Sequence, residues 1–301
     1  MESPIQHFLG LNTLPHSYLE IAKRFFDPIA RDVAHRYLKK NITQVIGING
    51  CQGSGKSTLA GYLCAFLEEN FNVQAISLSI DDFYLTKIER SHLSKNVHPK
   101  LAQRGLPGTH DIDLAIATVM NLTSGNKTSI TRFDKSIDDR VPLEKTETVE
   151  GANSLIIIEG WCFGARAQNR AAMIKPHNLW EHQNDRDGIF RSYVNDSLRF
   201  SYQKFFALAD KLIMLQAPSF ESVFDWRLEQ ENKLRKKTIT KDVNGEKLYV
   251  MNEQEIEQFI QPFRRITEYC LEEMPSRVDH LFELDDRRKI TQYLKPNTNR
   301  L

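Results

Sequence analysis

The stretch TQVIGINGCQGSGKSTLAGYL, residues 43–63, constrains what this chain can fold into more than any other. A short β-branched run leads into a loop of small residues, and an apolar helical pattern follows at once. Gly50, four intervening residues, then Gly55, Lys56 and Ser57 make the G-x-x-x-x-G-K-[ST] spacing. Between a strand and a helix, that spacing turns several backbone N–H groups and a helix N-terminus toward one point, where a phosphate group fits. Gly50, Gly53 and Gly55 permit the close approach, Lys56 meets the β and γ phosphates, and Ser57 ligates Mg2+. The expected cradle is therefore Gly50, Cys51, Gln52, Gly53, Ser54, Gly55, Lys56, Ser57 and Thr58, holding a nucleoside triphosphate. Cys51 reads as a small side chain filling the loop; the alternative is a redox switch, because a helix N-terminus lowers a thiol pKa.

Beyond this unit, short apolar runs alternate with helical patterns: VQAISLSI, TSITRF, SLIIIE and KLIMLQA as strands, with helices between them. Strands apolar on both faces and separated by helices imply an α/β fold, a mainly parallel sheet covered on each side. Residues 17–40 read as two packed helices, with Asp27 and Pro28 opening the second. We expect residues 1–40 to be a helical extension on the core and 41–301 the main domain, with a helical lid or excursion at about 219–275. Within that excursion, TITKDVNGEKLYVM carries an Asn244-Gly245 turn, and the helix NEQEIEQFIQPFRRITEYCLEEM is expected to bend at Pro262. VDHLFEL reads as the final strand.

Forty Lys+Arg against 39 Asp+Glu leave a net charge of +1, so no overall field draws nucleic acid or an anionic membrane. No apolar run approaches the ~20 residues that span a bilayer, and the N-terminus lacks the pattern of a leader, so a cytoplasmic location is expected. The four cysteines form no C-x-x-C pair, which leaves neither a zinc site nor a disulfide framework.

Two strand ends carry acids. In SLSIDDFYLT, Asp81 stands where ligands bind in open parallel sheets and is positioned to take a proton from an acceptor hydroxyl; Asp82 reads as a turn former. In SLIIIEGW, Glu159 ends a buried strand, and a Mg2+ shell resolves the cost of burying its charge. Arg104, His110 and Arg132 offer cations for an anionic substrate, while Asp111 caps the next helix. The run WRLEQENKLRKK admits a nucleic-acid stripe, a solvated helix face, or a lid in which Arg227 and Arg235 swing over the phosphates; the absence of interleaved aromatics favours the lid.

GINGCQGSGKST, SIDDFYLT, QRGLPGTHDI, RFDKS, IIIEGWCFG, DWRLEQE and MNEQEIEQFI together resemble the plant-type D-glycerate 3-kinases and their kinase-like relatives. More distantly, the chain is similar to phosphoribulokinase, uridine kinase and bacterial pantothenate kinase. The resemblance implies a P-loop NTPase fold using ATP and Mg2+, with Lys56, Asp81 and Arg227 catalytic and Ser57 and Glu159 at the metal. It implies acceptor contacts within 104–111 and 132–135, among them Arg104, His110, Arg132 and Asp134, with Tyr84 beside them around a hydroxy-acid substrate. Two departures, QPFRRIT after the MNEQEIEQFI helix and a shorter loop after RFDKS, fall near the expected acceptor pocket. Transfer of a γ-phosphoryl group to D-glycerate is the leading expectation. Another hydroxylated acceptor, such as a nucleoside or a pantothenate-like acid, is the first alternative, and a non-catalytic ATP-binding regulator the second.

Overall fold

Leu155, Ile156, Ile157 and Ile158 form an unbroken apolar run because their strand is covered on both faces: alternate residues point into two separate hydrophobic cores. The computed structural model describes residues 2–40, 42–150, 154–239 and 251–296. Three helices, α1 (Pro4–Asn12), α2 (Tyr18–Phe25) and α3 (Asp27–Lys40), precede β1 (Val45–Gly50), α4 (Lys56–Phe71) and β2 (Gln74–Ser79). Then come α5 (Lys87–Asn96), α6 (Ile112–Thr123), the short strands β3 (Lys127–Ser129), β4 (Phe133–Asp134), β5 (Asp139–Arg140) and β6 (Thr148–Glu150), and β7 (Ser154–Gly160). The chain continues through α7 (Leu179–Asn184), α8 (Ile189–Ser197), α9 (Gln203–Phe206), β8 (Lys211–Gln216) and α10 (Phe220–Ile239). It closes with α11 (Glu253–Ile260), α12 (Arg264–Glu273), β9 (His280–Leu284) and β10 (Ile290–Leu294).

The six-stranded sheet runs β10-β9-β8-β1-β7-β2, parallel except for β10, which pairs antiparallel with β9. The N-terminal helices and α4 cover one face together with Phe220, Val223 and Trp226; α6, α8, α9 and α12 cover the other. This is the expected α/β architecture, with helices on both faces.

Three local readings change. TSITRF is not a strand of the main sheet: β3 pairs with β6 and β4 with β5 in two separate antiparallel ribbons. Its polar alternation exposes one side, which a strand buried between two helical layers cannot do. VDHLFEL is followed by β10, an antiparallel edge strand. Residues ahead of 17 also form a helix, α1, with Pro4 at its first turn and the Ser3 side chain accepting from the Gln6 N–H. Its Phe8 packs so closely on α4 that a Cβ at Gly61 would meet the ring at 3.0 Å.

The opening of the second N-terminal helix follows the Asp27-Pro28 reading, and Asp27 also accepts a hydrogen bond from the Tyr62 hydroxyl at 2.6 Å, tying α3 to α4. The long C-terminal helix is interrupted at Gln261–Phe263, around Pro262, before resuming as α12. The Asn244-Gly245 turn lies outside the described residues. Among those described, no helix is long and apolar enough to cross a membrane.

One buried ion pair holds the far side of the fold. Glu181 on α7 accepts from Arg265 of α12 at 2.7 and 2.6 Å and from the His177 N–H at 2.7 Å. Burial pushes the Glu181 carboxyl up, but Arg265 and the backbone donor outweigh it and hold it below the ordinary value. Arg265→Ala is expected to cost about 3–5 kcal/mol by leaving a buried carboxylate unpaired, read as a fall in the urea midpoint. Because the folded pKa is lowered, the pair's stabilisation is fully present above about pH 4.3 and is lost as the pH falls through the folded value.

Candidate functional site

Parallel pairing brings three strand ends level. Glu159 lies opposite Ile48 of β1 and opposite Ser79 of β2, so the loop after β1, the end of β7 and the turn after β2 open on one side of the sheet. Glu159 is 7% exposed. Its Oε1 accepts from the Ser57 hydroxyl at 2.8 Å, while its buried Oε2 has no hydrogen-bond partner and lies 3.8 Å from the Lys56 ammonium. A buried carboxylate oxygen left open beside a serine hydroxyl is a donor set suited to Mg2+, which takes one or two protein oxygens and fills the rest with phosphates and water.

The loop itself is braced from behind. Gly53 has φ +80°, and a Cβ on it would sit 2.7 Å from the Cβ of Trp226. Its carbonyl accepts from Arg288 Nε at 2.7 Å. Arg288, in the turn between β9 and β10, also lies over the Trp226 ring at 5.2 Å and pairs with Glu229 at 2.6 Å. The side chains of Gln52 and Ser54 each bury an oxygen without a hydrogen-bond partner. Lys56 opens α4, so the first N–H groups of that helix have no intrahelical acceptor. Cys51 is 5% exposed, and burial pushes its thiol up to about 12 against the pull of Lys56; this supports the space-filling reading of Cys51 over the redox one.

After β2 the chain enters a tight turn, Ile80–Phe83, that separates two adjacent aspartates. Asp82 turns back: its Oδ2 accepts from the Ser79 N–H at 2.9 Å and from Arg132 at 2.8 Å. Asp81 faces the opening, where Lys135 donates to its Oδ2 at 2.8 Å. Burial pushes Asp81 up, but Lys135 and then Lys56 outweigh it, so the carboxyl is held below its ordinary value and is ionised at neutral pH.

Lys56, Asp81, Tyr84, Arg104, Gln52 and Arg227 line one pocket of about 130 Å³. Trp161, Phe259 and Phe263 add an aromatic wall, and Lys135 and Gly105 complete the lining. The Trp161 N–H donates to the Gly105 carbonyl at 2.8 Å and its ring meets Phe263 edge-on at 5.0 Å, so this tryptophan both packs and lines the pocket. Arg227, on α10, pairs with the buried Glu231 and lies over the Phe259 ring at 5.7 Å. Arg104 pairs with Asp138. The Arg235 side chain lies outside the described residues.

Three of the acceptor contacts expected from sequence do not line this pocket. Arg132 is spent on Asp82, on the Ser77 carbonyl at 3.4 Å and on Glu147 at 3.8 Å. Asp134 accepts from the N–H and hydroxyl of Ser136, fixing a local turn. His110 is buried behind Tyr84, its ring stacked on the phenol at 4.6 Å. Its Nδ1 meets the Tyr202 hydroxyl at 2.5 Å, and burial lowers its pKa to about 4, so the ring is neutral and supplies no cation. Asp111 caps α6 as expected, accepting from the Leu114 N–H at 3.0 Å. Phe259, Phe263 and Arg288 escape sequence reasoning, since helical apolar spacing and a surface turn carry no sign of which pocket or loop they will reach.

A glycine-lined loop between a buried parallel strand and a helix, with acids at the two neighbouring strand ends, defines a P-loop nucleotide-binding protein of the kinase type. Residues 45–169 match the phosphoribulokinase / uridine kinase family. The chain is 34% identical over 201 residues to the uncharacterized kinase mug58 of Schizosaccharomyces pombe, covering 64% of this chain and 71% of that one. It is 30% identical over 203 residues to the chloroplastic D-glycerate 3-kinase of Arabidopsis thaliana, covering 64% of this chain but 41% of that protein. The fold matches the solved D-glycerate 3-kinase of Cryptococcus neoformans with a TM-score of 0.74 at 22% identity, covering 88% of this chain and 96% of that one. The chain belongs to the phosphoribulokinase / uridine kinase family.

Gly53→Ala is expected to weaken nucleotide binding at least tenfold by calorimetric titration, because the added methyl meets both a left-handed backbone and Trp226. Cys51 is expected to stay unmodified by thiol reagents at pH 8 until the protein is unfolded, since only the thiolate reacts.

Proposed function

We propose that this protein is an ATP-dependent kinase that transfers the γ-phosphoryl group to an alcohol on a small anionic acceptor, with D-glycerate the leading candidate and 3-phosphoglycerate its product. The observation that carries this reading is the meeting of Lys56 and an ionised Asp81 in one pocket with Arg104. A phosphate-binding lysine, a proton acceptor and a cation for a carboxylate are the minimum set for such a transfer.

In this mechanism the loop 50–58 and Lys56 would hold the triphosphate, and Ser57 and Glu159 would hold Mg2+, which when bound supplies positive charge against the phosphates. Asp81 accepts the proton of the acceptor hydroxyl as its oxygen bonds to the γ-phosphorus and the bond to the β-bridging oxygen breaks. Arg227 leaves Glu231 for the transferring group and adds charge stabilisation. Because the transition state is loose, positioning and electrostatics supply most of the rate. The relatives named as D-glycerate 3-kinases support the choice of acceptor.

The aromatic wall of Trp161, Phe259 and Phe263 favours a second reading, an acceptor with an apolar or planar part such as a nucleoside or a pantothenate-like acid. A panel of acceptors with ATP, followed as ADP release, separates the two; ATP binding with no acceptor-stimulated release would instead mark a regulator. Lys56→Ala is expected to lower kcat by ~10²–10³-fold and Asp81→Asn by ~10²–10⁴-fold, with the fold retained by circular dichroism. Near-normal turnover in either variant would remove the role assigned to that residue.

A further inference from the structure

The short ribbon of β4 and β5 is bolted in place far more firmly than its length requires. Asp138, at its turn with φ +56°, gives both its carbonyl and its carboxylate to Arg90, at 3.1 and 2.5 Å. Arg90 is 1% exposed, and it also donates to the carbonyls of Leu85 and Ala102 at 2.7 and 3.2 Å. The second carboxylate oxygen of Asp138 takes Arg104. From β5, Arg140 donates to the Tyr84 carbonyl at 2.9 Å and to Asp111 at 3.0 Å. The Asp134 carboxylate closes the turn on Ser136 at 2.8 Å. The Arg90, Arg104 and Arg140 contacts tie the ribbon to the chain that follows Asp81, while the Asp134–Ser136 bond shapes its turn.

What the ribbon presents to the pocket is Lys135, whose ammonium lies 2.8 Å from Asp81 Oδ2. An exposed lysine paired with a carboxylate across a surface is worth little, because both long side chains must be frozen. Here the backbone beneath Lys135 is already fixed and Asp81 is short, so the Lys135 side chain is the part left to order.

Lys56 also stabilises the Asp81 charge, yet the triphosphate claims its ammonium once nucleotide is bound. Around Asp81 the other titratable neighbours are Tyr84, His110, Cys162 and Asp82, and none is a cation at neutral pH: the phenol and thiol are pushed well above neutrality by burial, and the His110 ring is neutral. Arg104 and Arg227 line the same pocket but pair with Asp138 and Glu231, so among the described residues Lys135 is the cation in contact with the Asp81 carboxylate once Lys56 is engaged.

We propose that Lys135 is the positioning residue of Asp81: held by the Arg90–Asp138 bolt, it keeps the base aimed at the acceptor hydroxyl and charged while Lys56 is engaged by phosphate. This deepens the phosphotransfer reading and rests on it. Lys135 takes no proton in the step; the hydroxyl proton passes to the Asp81 carboxylate, and the ammonium offsets the charge until it does.

The test is a comparison of Lys135→Gln and Lys135→Arg with the unsubstituted protein. Because the Lys135 side chain is 59% exposed, both variants should fold. With carboxyl-labelled aspartate and the Asp81 resonance identified by its loss in Asp81→Asn, the Asp81 titration midpoint should rise by about one pH unit in Lys135→Gln and return in Lys135→Arg. With ATP and an active acceptor, the acid limb of the kcat profile should move up by about one pH unit in Lys135→Gln, with kcat falling by up to about tenfold on that limb, below the ordinary carboxylate range, and the KM for ATP unchanged. An unmoved midpoint and acid limb would overturn the proposal, as would a loss confined to the KM for the acceptor, which would make Lys135 a substrate contact only. Should the unsubstituted protein show no acceptor-stimulated ADP release, the phosphotransfer reading fails instead, and the carboxyl titration still decides whether Lys135 governs Asp81.

Discussion

Parallel register across β1, β7 and β2 is the constraint from which the site follows. With Ile48 and Ser79 both opposite Glu159, the glycine-rich loop, the Glu159 carboxylate and the turn bearing Asp81 leave the sheet at the same height. A slip of one residue along β7 would turn Glu159 to the opposite face and push an apolar neighbour into its place. The register is protected by burial: Leu155 and Ile157 belong to one core and Ile156 and Ile158 to the other, so a slip would exchange every contact on both sides. Around the loop, Trp226 and Arg288 supply a second brace from α10 and the last hairpin, which joins the distant C-terminal segment to the first strand.

The cations of the pocket share one property. Lys56 faces Glu159, Lys135 faces Asp81, Arg104 faces Asp138 and Arg227 faces Glu231. Half-buried charges are tolerated when paired, and unpaired ones carry a desolvation cost. A polyanion entering this pocket therefore competes with internal carboxylates, and gains most where a divalent cation takes over the carboxylate released. The chain's near-zero net charge fits this arrangement: attraction for phosphate comes from local partners exchanged on binding, with no broad positive field around the molecule.

Much of the fold was legible because its signals are local. The strand–loop–helix unit at 45–71, the strands 211–216 and 280–284, the break at Pro262 and the Asp111 cap each depend on a few adjacent residues. The errors came where a local signal had two tertiary outcomes. TSITRF has the composition of a strand, but only its neighbours decide whether it joins the central sheet or an outlying ribbon. Arg132 and His110 have the chemistry for an anion, yet Arg132 is consumed by Asp82, and His110 is desolvated behind Tyr84 until it loses its charge.

The amino-acid sequence by itself determined that residues 50–58 would form a glycine-rich bend between a strand and a helix and that Asp81 and Glu159 would stand at or just beyond strand ends, since glycine spacing and apolar runs act over a few residues of backbone. Tertiary structure alone decided which charged side chains reach the pocket, because that depends on partners 30 to 100 residues away competing for the same groups. Lys135 and Arg104 face the opening while Arg132 does not, and the difference lies in the Arg90–Asp138 bolt and the Asp82 cap, contacts that no short stretch of sequence contains.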